Sequence, residues 1–297
     1  MVLPTYSTRP SFLGTANEDR DAPIVCAGVP FDIGTSHRAG TRFGPMAIRA
    51  ISRMLVDGVN PLNWRNPSAL PIADIGDFEI ALGDTLESLK LIEAQAAKCR
   101  HLIALGGDHS ITLPLLRAVA KKQGGPVGLI HFDAHVDTWP ETFGQKYGHG
   151  SVFYNAIEEG IVDPKRMIQI GIRSPVGRDV WDWTIGKGVQ IISAQEVHAK
   201  GVDAVLAAIK AKVGAGKTYL SFDIDALDPS QAPGTGTPEV AGLWTWQVKA
   251  ILDRFTGIDF VGMDVVEVSP SYDVAEITAL AGATIAWQYL SLNAPQT

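Results

Sequence analysis

The sequence predicts an α/β fold: a doubly wound, mostly parallel sheet with helices on both faces. Apolar runs of strand length alternate with amphipathic stretches of helix length along nearly the whole chain. No low-complexity linker and no fixed-period repeat interrupts the alternation, so residues 1–297 are read as a single domain. The residues best suited to chemistry follow directly on the apolar runs, and sheets of this kind bind ligands beyond the carboxyl ends of their strands.

Residues 1–22, rich in Pro, Ser, Thr and charge, are expected to form an irregular N-terminal arm. A first strand is expected over 22–29, then a glycine-studded loop over 31–45. Pro45 suits the first turn of a helix running through Ile51. A short strand over 72–77 precedes a helix over 84–99, with apolar Leu86, Leu89, Ile92 and Ala96 and with Asp84 as N-cap. Strand 101–105 leads to a helix over 111–122, and strand 127–132 to a helix starting near Ser151. Strands over 167–172, 189–193, 218–222 and 258–265 then alternate with helices near 176–186, 202–213, 244–255 and 275–290.

With 46% hydrophobic and 19% charged residues, the composition is that of an ordinary globular protein. A formal charge of −7 and a pI near 5.5 argue against nucleic acid or an anionic membrane as partner and fit a small cationic substrate. Cys26 and Cys99 read as buried free thiols with no disulfide framework. The N-terminus lacks a basic region followed by an apolar stretch, and no apolar run is long enough to cross a bilayer. The expected location is therefore the cytoplasm.

Asp133, His135 and Asp137 are spaced i, i+2, i+4 behind the apolar run Val127 to Ile130. In extended backbone that period puts all three side chains on one side. Solvated loop residues are the plain alternative, and two further stretches argue against it. His109 follows the run Leu102 to Leu105, and Asp223 and Asp225 end another strand-like run. Two histidines and four aspartates suit two divalent ions sharing bridging carboxylates and exceed what one zinc needs. Hard carboxylates with imidazole and no thiolate favour Mn(II), with Co(II), Ni(II) or Zn(II) as alternatives.

These stretches, Gly-Gly-Asp-His-Ser at 106–110, Phe-Asp-Ala-His-Val-Asp at 132–137 and Ser-Phe-Asp-Ile-Asp-Ala-Leu-Asp-Pro at 221–229, resemble the metal motifs of the arginase/agmatinase (ureohydrolase) family. The resemblance extends to 28–32, 42–45, 233–239 and 262–270, and the agmatinase branch matches best. It implies an arginase-like three-layer sandwich around a binuclear manganese centre, assembled as a homo-oligomeric trimer or hexamer. Carried over by motif, one ion takes His109, Asp133, Asp137 and Asp223. The other takes Asp133, His135, Asp223 and Asp225, so that Asp133 and Asp223 bridge. Activated water would attack a guanidinium carbon and release urea and an amine, a reaction of polyamine metabolism. Asp137 would take the proton of that water, Glu267 would pair with the guanidinium, and His149 would shuttle protons towards the leaving amine. The plain alternatives are a solvated carboxylate or a structural salt bridge for Glu267 and backbone hydrogen bonding for His149. His37, His101, His131 and His198 are assigned to structure or surface.

Guanidino substrates differ at the end of the chain remote from the reacting group. The segment 138–148 is expected to face that end, with Trp139, Phe143 and Tyr147 packing its rim. Arginases carry an Asn two residues after the last aspartate of the DxHxD motif; Trp139 stands there, which argues against arginine. Glu141 suits a distal ammonium and Lys146 a distal carboxylate. Agmatine is thus set against guanidino acids such as 4-guanidinobutyrate and 3-guanidinopropionate, with formiminoglutamate as a further alternative. A one-metal deacylase would not need His109 and Asp225, and a non-catalytic subunit of a hetero-oligomer would be expected to have lost ligands.

Overall fold

The computed structural model describes residues 10–56 and 59–295. Among the described residues there are eight strands: β1 (Ile24–Val29), β2 (Ile72–Asp77), β3 (Leu102–Gly106), β4 (Val127–Phe132), β5 (Val162–Ile172), β6 (Gln190–Ser193), β7 (Thr218–Asp223) and β8 (Phe260–Val266). They form one sheet in the order β2-β1-β3-β8-β7-β4-β5-β6, and every neighbouring pair is parallel.

Alternate residues of each strand feed two separate cores. Ile24 and Cys26 of β1, Ile103 and Leu105 of β3, and Ile130 and Phe132 of β4 pack on one face. Val25 and Ala27, Leu102 and Ala104, and Val127 and Leu129 pack on the other. A strand buried on both faces has no polar side to alternate with, which is why these segments read as continuous apolar runs. The first face is covered by α1 (Gly44–Ser52), α6 (Ala194–Val213), α7 (Thr245–Leu252) and α8 (Ile277–Asn293). The second is covered by α2 (Thr85–Ala96), α3 (Thr112–Gln123) and α4 (Val152–Glu158), while α5 (Arg178–Gly186) flanks the β5–β6 end. The doubly wound, three-layer expectation is met.

Local boundaries differ most in two places. α6 begins at Ala194, well before the expected 202, because Ser193 and Glu196 form a reciprocal capping box. Gly201 (φ 77°) then breaks its regularity at the point where the apolar period resumes. β5 begins at Val162 rather than near 167, through a polar stretch containing Pro164 and a register irregularity against β4. Asp84 caps α2 as expected, accepting a hydrogen bond from the Glu87 amide. Of the expected N-terminal arm, residues 1–9 lie outside the described residues. The part that follows is anchored: Phe12 is fully buried, and its amide donates to Asp74 Oδ2 at 2.7 Å.

The order places β8 and β7 between β3 and β4. The four stretches singled out from the sequence therefore leave four adjacent strands at the centre of the sheet, all at carboxyl ends.

Candidate metal centre and active site

His109 is positioned by the turn that leaves β3. Its ring Nε2 meets Ser221 Oγ at 2.9 Å, and Ser221 donates its own hydroxyl proton to Asp264 Oδ1 at 2.7 Å. The serine can then only accept from the imidazole, so Nε2 carries the proton and Nδ1 presents a lone pair. That lone pair lies 3.0 Å from Asp137 Oδ2 and 3.2 Å from both Asp133 Oδ2 and Asp223 Oδ2. None of these approaches has hydrogen-bond geometry, and Nδ1 is a buried polar atom without a partner. One lone pair facing three carboxylate oxygens is repulsive unless a cation sits among them. Ligating histidines are oriented by this kind of hydrogen bond at the outer nitrogen.

The second half of the cluster also sets an imidazole against carboxylates, and here Nδ1 hydrogen-bonds one of them, Asp133. His135 Nδ1 lies 3.2 Å from Asp133 Oδ1 and 3.1 Å from Asp225 Oδ2. The Ala134 amide donates to Asp225 Oδ1, and the amides of His135 and Asp225 donate to Asp133 Oδ1 and Asp223 Oδ1. Each aspartate is thus fixed by backbone while another oxygen points inward. Ligand atoms of Asp133, His135 and Asp225 lie within 4.8 Å of one another, close enough to hold a metal ion, and so do those of His109, His131 and Asp133.

His131 differs from the others in this geometry. Gln169 donates to its Nδ1 at 3.1 Å, so its Nε2–H is committed to Asp133 Oδ2 at 2.8 Å, which makes it a support for Asp133. Among the described residues, no Lys or Arg pairs with the carboxylates of Asp133, Asp137, Asp223 or Asp225. Burial opposes a charge on His109 and His135, but the surrounding aspartates outweigh it and raise both pKa values well above 6.5. Burial and the charges of Asp225 and Asp133 raise the Asp223 carboxyl well above its usual range. All three shifts are those of a centre short of positive charge.

Beyond β8, Glu267 is fully buried and held at φ 64°, a left-handed conformation that is uncommon outside glycine. Its amide donates to Gly107 O at 2.9 Å. Its Oε1 accepts from the His109 amide and meets His149 Nδ1, both at 2.9 Å, whereas Oε2 has no partner. Glu267 and His149, expected to act separately, thus form one buried pair. Burial lowers the His149 pKa, but the hydrogen bond and charge of Glu267 outweigh it and bring the value to about 9. Asp137 is likewise left-handed, at φ 47°.

A cleft of about 390 Å³ opens over these groups, lined by Ser36, His135, Asp137, Trp139, Glu141 and Phe143 among others. Ser36 was not foreseen. Its amide lies 3.2 Å and its hydroxyl 2.7 Å from His149 Nε2, closing the free side of the imidazole. The signal was its place in the Gly/Ser/Thr-dense loop 31–45. Phe143 and Gly144, at φ 49° and 84°, form a tight turn closed by hydrogen bonds between Thr142 and Gln145, and Phe143 stands 91% exposed. Tyr147, expected on the rim, is not among the lining residues; it packs with Lys146 and Arg117, which stand 5.2 and 5.7 Å from its ring.

The sequence profile of the arginase family matches residues 22–291. An agmatinase of Photorhabdus laumondii is 46% identical over 280 residues, covering 92% of this chain and 88% of that protein. A guanidinobutyrase of Pseudomonas aeruginosa is 45% identical over 279 residues, covering 91% and 85%. Among solved structures, the proclavaminate amidino hydrolase of Streptomyces clavuligerus superposes with a TM-score of 0.90 at 37% identity, covering 98% of this chain and 100% of that one. The chain belongs to the arginase family.

Proposed function

We propose that this protein is a dimetal amidinohydrolase that cleaves agmatine to urea and the corresponding diamine. The observation that carries the metal reading is that His109 Nδ1, buried and without a hydrogen-bond partner among the described residues, faces three carboxylate oxygens at 3.0–3.2 Å. His109, Asp133, Asp137 and Asp223 would hold one ion, and Asp133, His135, Asp223 and Asp225 the other. The donor set of carboxylates and imidazoles fits Mn(II), with Co(II), Ni(II) or Zn(II) able to substitute. When bound, such a pair of ions lowers the pKa of water enough to make a nucleophile near neutral pH.

The protein's own groups supply the rest. Glu267 Oε2, buried and unpartnered, offers a planar guanidinium a charged acceptor and so aligns its carbon. Asp137 lines the cleft beside His109 and accepts the proton of the attacking water. His149, held by Glu267 at Nδ1 and by Ser36 at Nε2, would pass a proton towards the departing nitrogen.

The distal end of the cleft favours a diamine skeleton over a guanidino acid. Glu141 lines it and, among the described residues, no Lys or Arg does. Lys146, the candidate partner for a carboxylate, lies against Tyr147 instead. Trp139 and Phe143 give the substrate's methylene chain apolar walls. The name of the Pseudomonas relative keeps 4-guanidinobutyrate as the second substrate to test. Assembly as a homo-oligomer is part of the same reading, supported by the exposed apolar side chains Met46, Leu62 and Trp246.

Urea release measured across agmatine, 4-guanidinobutyrate, 3-guanidinopropionate and arginine tests this reading. Agmatine should give the highest kcat/KM. Glu141→Lys should shift the agmatine-to-guanidinobutyrate ratio by about tenfold towards the acid, the scale of one exposed charge pair changed. A wild-type preference for the acid would reassign the substrate, and no urea from any of them would overturn the activity.

A further inference from the structure

Arg173 leaves the end of β5 and is half-buried behind the cluster. Among the described residues, its guanidinium makes no hydrogen bond to a carboxylate. Every one of its bonds goes to a main-chain carbonyl: Nε to Val240 at 2.9 Å; Nη1 to Gly171 and Ala226 at 3.2 and 3.3 Å; Nη2 to Asp225, Leu227 and Glu239 at 2.9, 3.3 and 2.5 Å. Five fixed N–H groups are thereby spent on six carbonyls of three chain segments, so no donor is left over. The packing is close: a Cβ on Gly242 would come within 2.6 Å of Arg173 Nη2 and 2.5 Å of the Asp228 amide.

The main chain of the same residue reaches the other ligand stretch. The amides of Arg173 and Ser174 both donate to Ala134 O, at 2.9 and 3.0 Å, and Ala134 lies between Asp133 and His135. The Ala134 amide in turn donates to Asp225 Oδ1 at 3.0 Å. Arg173 thus joins the loop bearing Asp133 and His135 to the turn bearing Asp225. No hydrogen bond or ion pair among the described residues links it to His109 or Asp137.

We propose that Arg173 is a positioning residue for one half of the centre: it fixes His135 and Asp225, the ligands that belong to one ion alone, in ligating geometry, and reaches the half containing His109 and Asp137 only through the shared Asp133. The inference rests on the dimetal reading. A lysine has a single ammonium with three donors and cannot span three segments, so Arg173→Lys keeps the charge and removes the fork.

The test is calorimetric titration of metal-stripped protein with Mn(II), with folding checked by circular dichroism. Wild-type protein should take up two ions. Arg173→Lys should bind one ion within about twofold of the wild-type affinity and the other at least about tenfold more weakly, the usual scale for loss of a group supporting a metal ligand. Gly242→Ala, which pushes the 239–243 segment off the guanidinium, should show the same asymmetry and carries the test if Arg173→Lys does not fold. Two unchanged affinities in a folded variant, or two affinities reduced equally, would overturn the proposal. Fewer than two ions in wild-type protein would instead overturn the dimetal reading beneath it.

Discussion

Two sets of acids, one within the edge strand β2 and one at the ends of central strands, belong to the same sheet and are neutralised in opposite ways. Within β2, Asp74 takes both Arg49 Nε and Nη2 in a fork, at 2.8 and 2.9 Å, and Arg49 donates further to Asp77 Oδ1 and Gly76 O. The acid and its cation come from the same chain, and the group is closed. At the ends of β3, β4 and β7, four aspartates surround two imidazoles, and no Lys or Arg among the described residues pairs with them. A fold that neutralises a structural acid with its own arginine can do so anywhere. Where it does not, the missing positive charge marks what is to be bound.

The contrast can be broken at either end. Asp133→Asn replaces one of the two oxygens that face His109 and His135 and should lower urea release by about a thousandfold or more, since a metal pair supplies several kcal/mol of transition-state stabilisation. Its folded state should survive, because the variant loses a negative charge from a centre that has too many. Arg49→Met should do the reverse: a stability loss of about 3–5 kcal/mol from an uncompensated buried Asp74, with metal uptake intact. Denaturant unfolding and metal analysis of the two variants check both statements. Loss of ions from Arg49→Met, or collapse of Asp133→Asn, would erase the distinction.

A smaller effect concerns the pair beyond β8. Glu267→Gln keeps shape and removes charge, so both ions should stay bound while kcat/KM for the guanidino substrate falls by about a hundredfold. Smallest is the pH dependence of metal-free protein. His149 has a folded pKa of about 9, above its ordinary 6.5, so its contribution is fully present below pH 6.5 and is lost as pH rises through 9. At most about 3 kcal/mol should disappear across that window, and the slope should flatten in Glu267→Gln. An unchanged slope in the variant would separate His149 from Glu267.

Much of this was legible in the sequence because the strands are buried on both faces and the ligands follow them at once. Asp133, His135, Asp137, Asp223 and Asp225 could be placed together from local spacing and the rule that such sheets bind ligands at carboxyl ends. Contacts that depend on distant approach could not. Ser36 and Glu267 meet His149 across 113 and 118 residues, and no local period encodes that encounter. Arg173 reads as a surface cation after a strand until its six carbonyl partners are known. The early start of α6, in contrast, was written in Ser193-x-x-Glu196, a local signal outweighed by the stronger apolar period after Gly201. Lys146 and Glu141 stood as equals in the sequence, and only the direction of the loop set them apart.

The central claim is that the aspartate-histidine cluster is completed by two cations that the chain does not itself provide. Elemental analysis of metal-stripped protein reconstituted with saturating Mn(II) tests it most directly. Two ions per chain, with a raised melting temperature on loading, is the expected result. A stoichiometry that stays at one or below, in protein that remains folded, contradicts it.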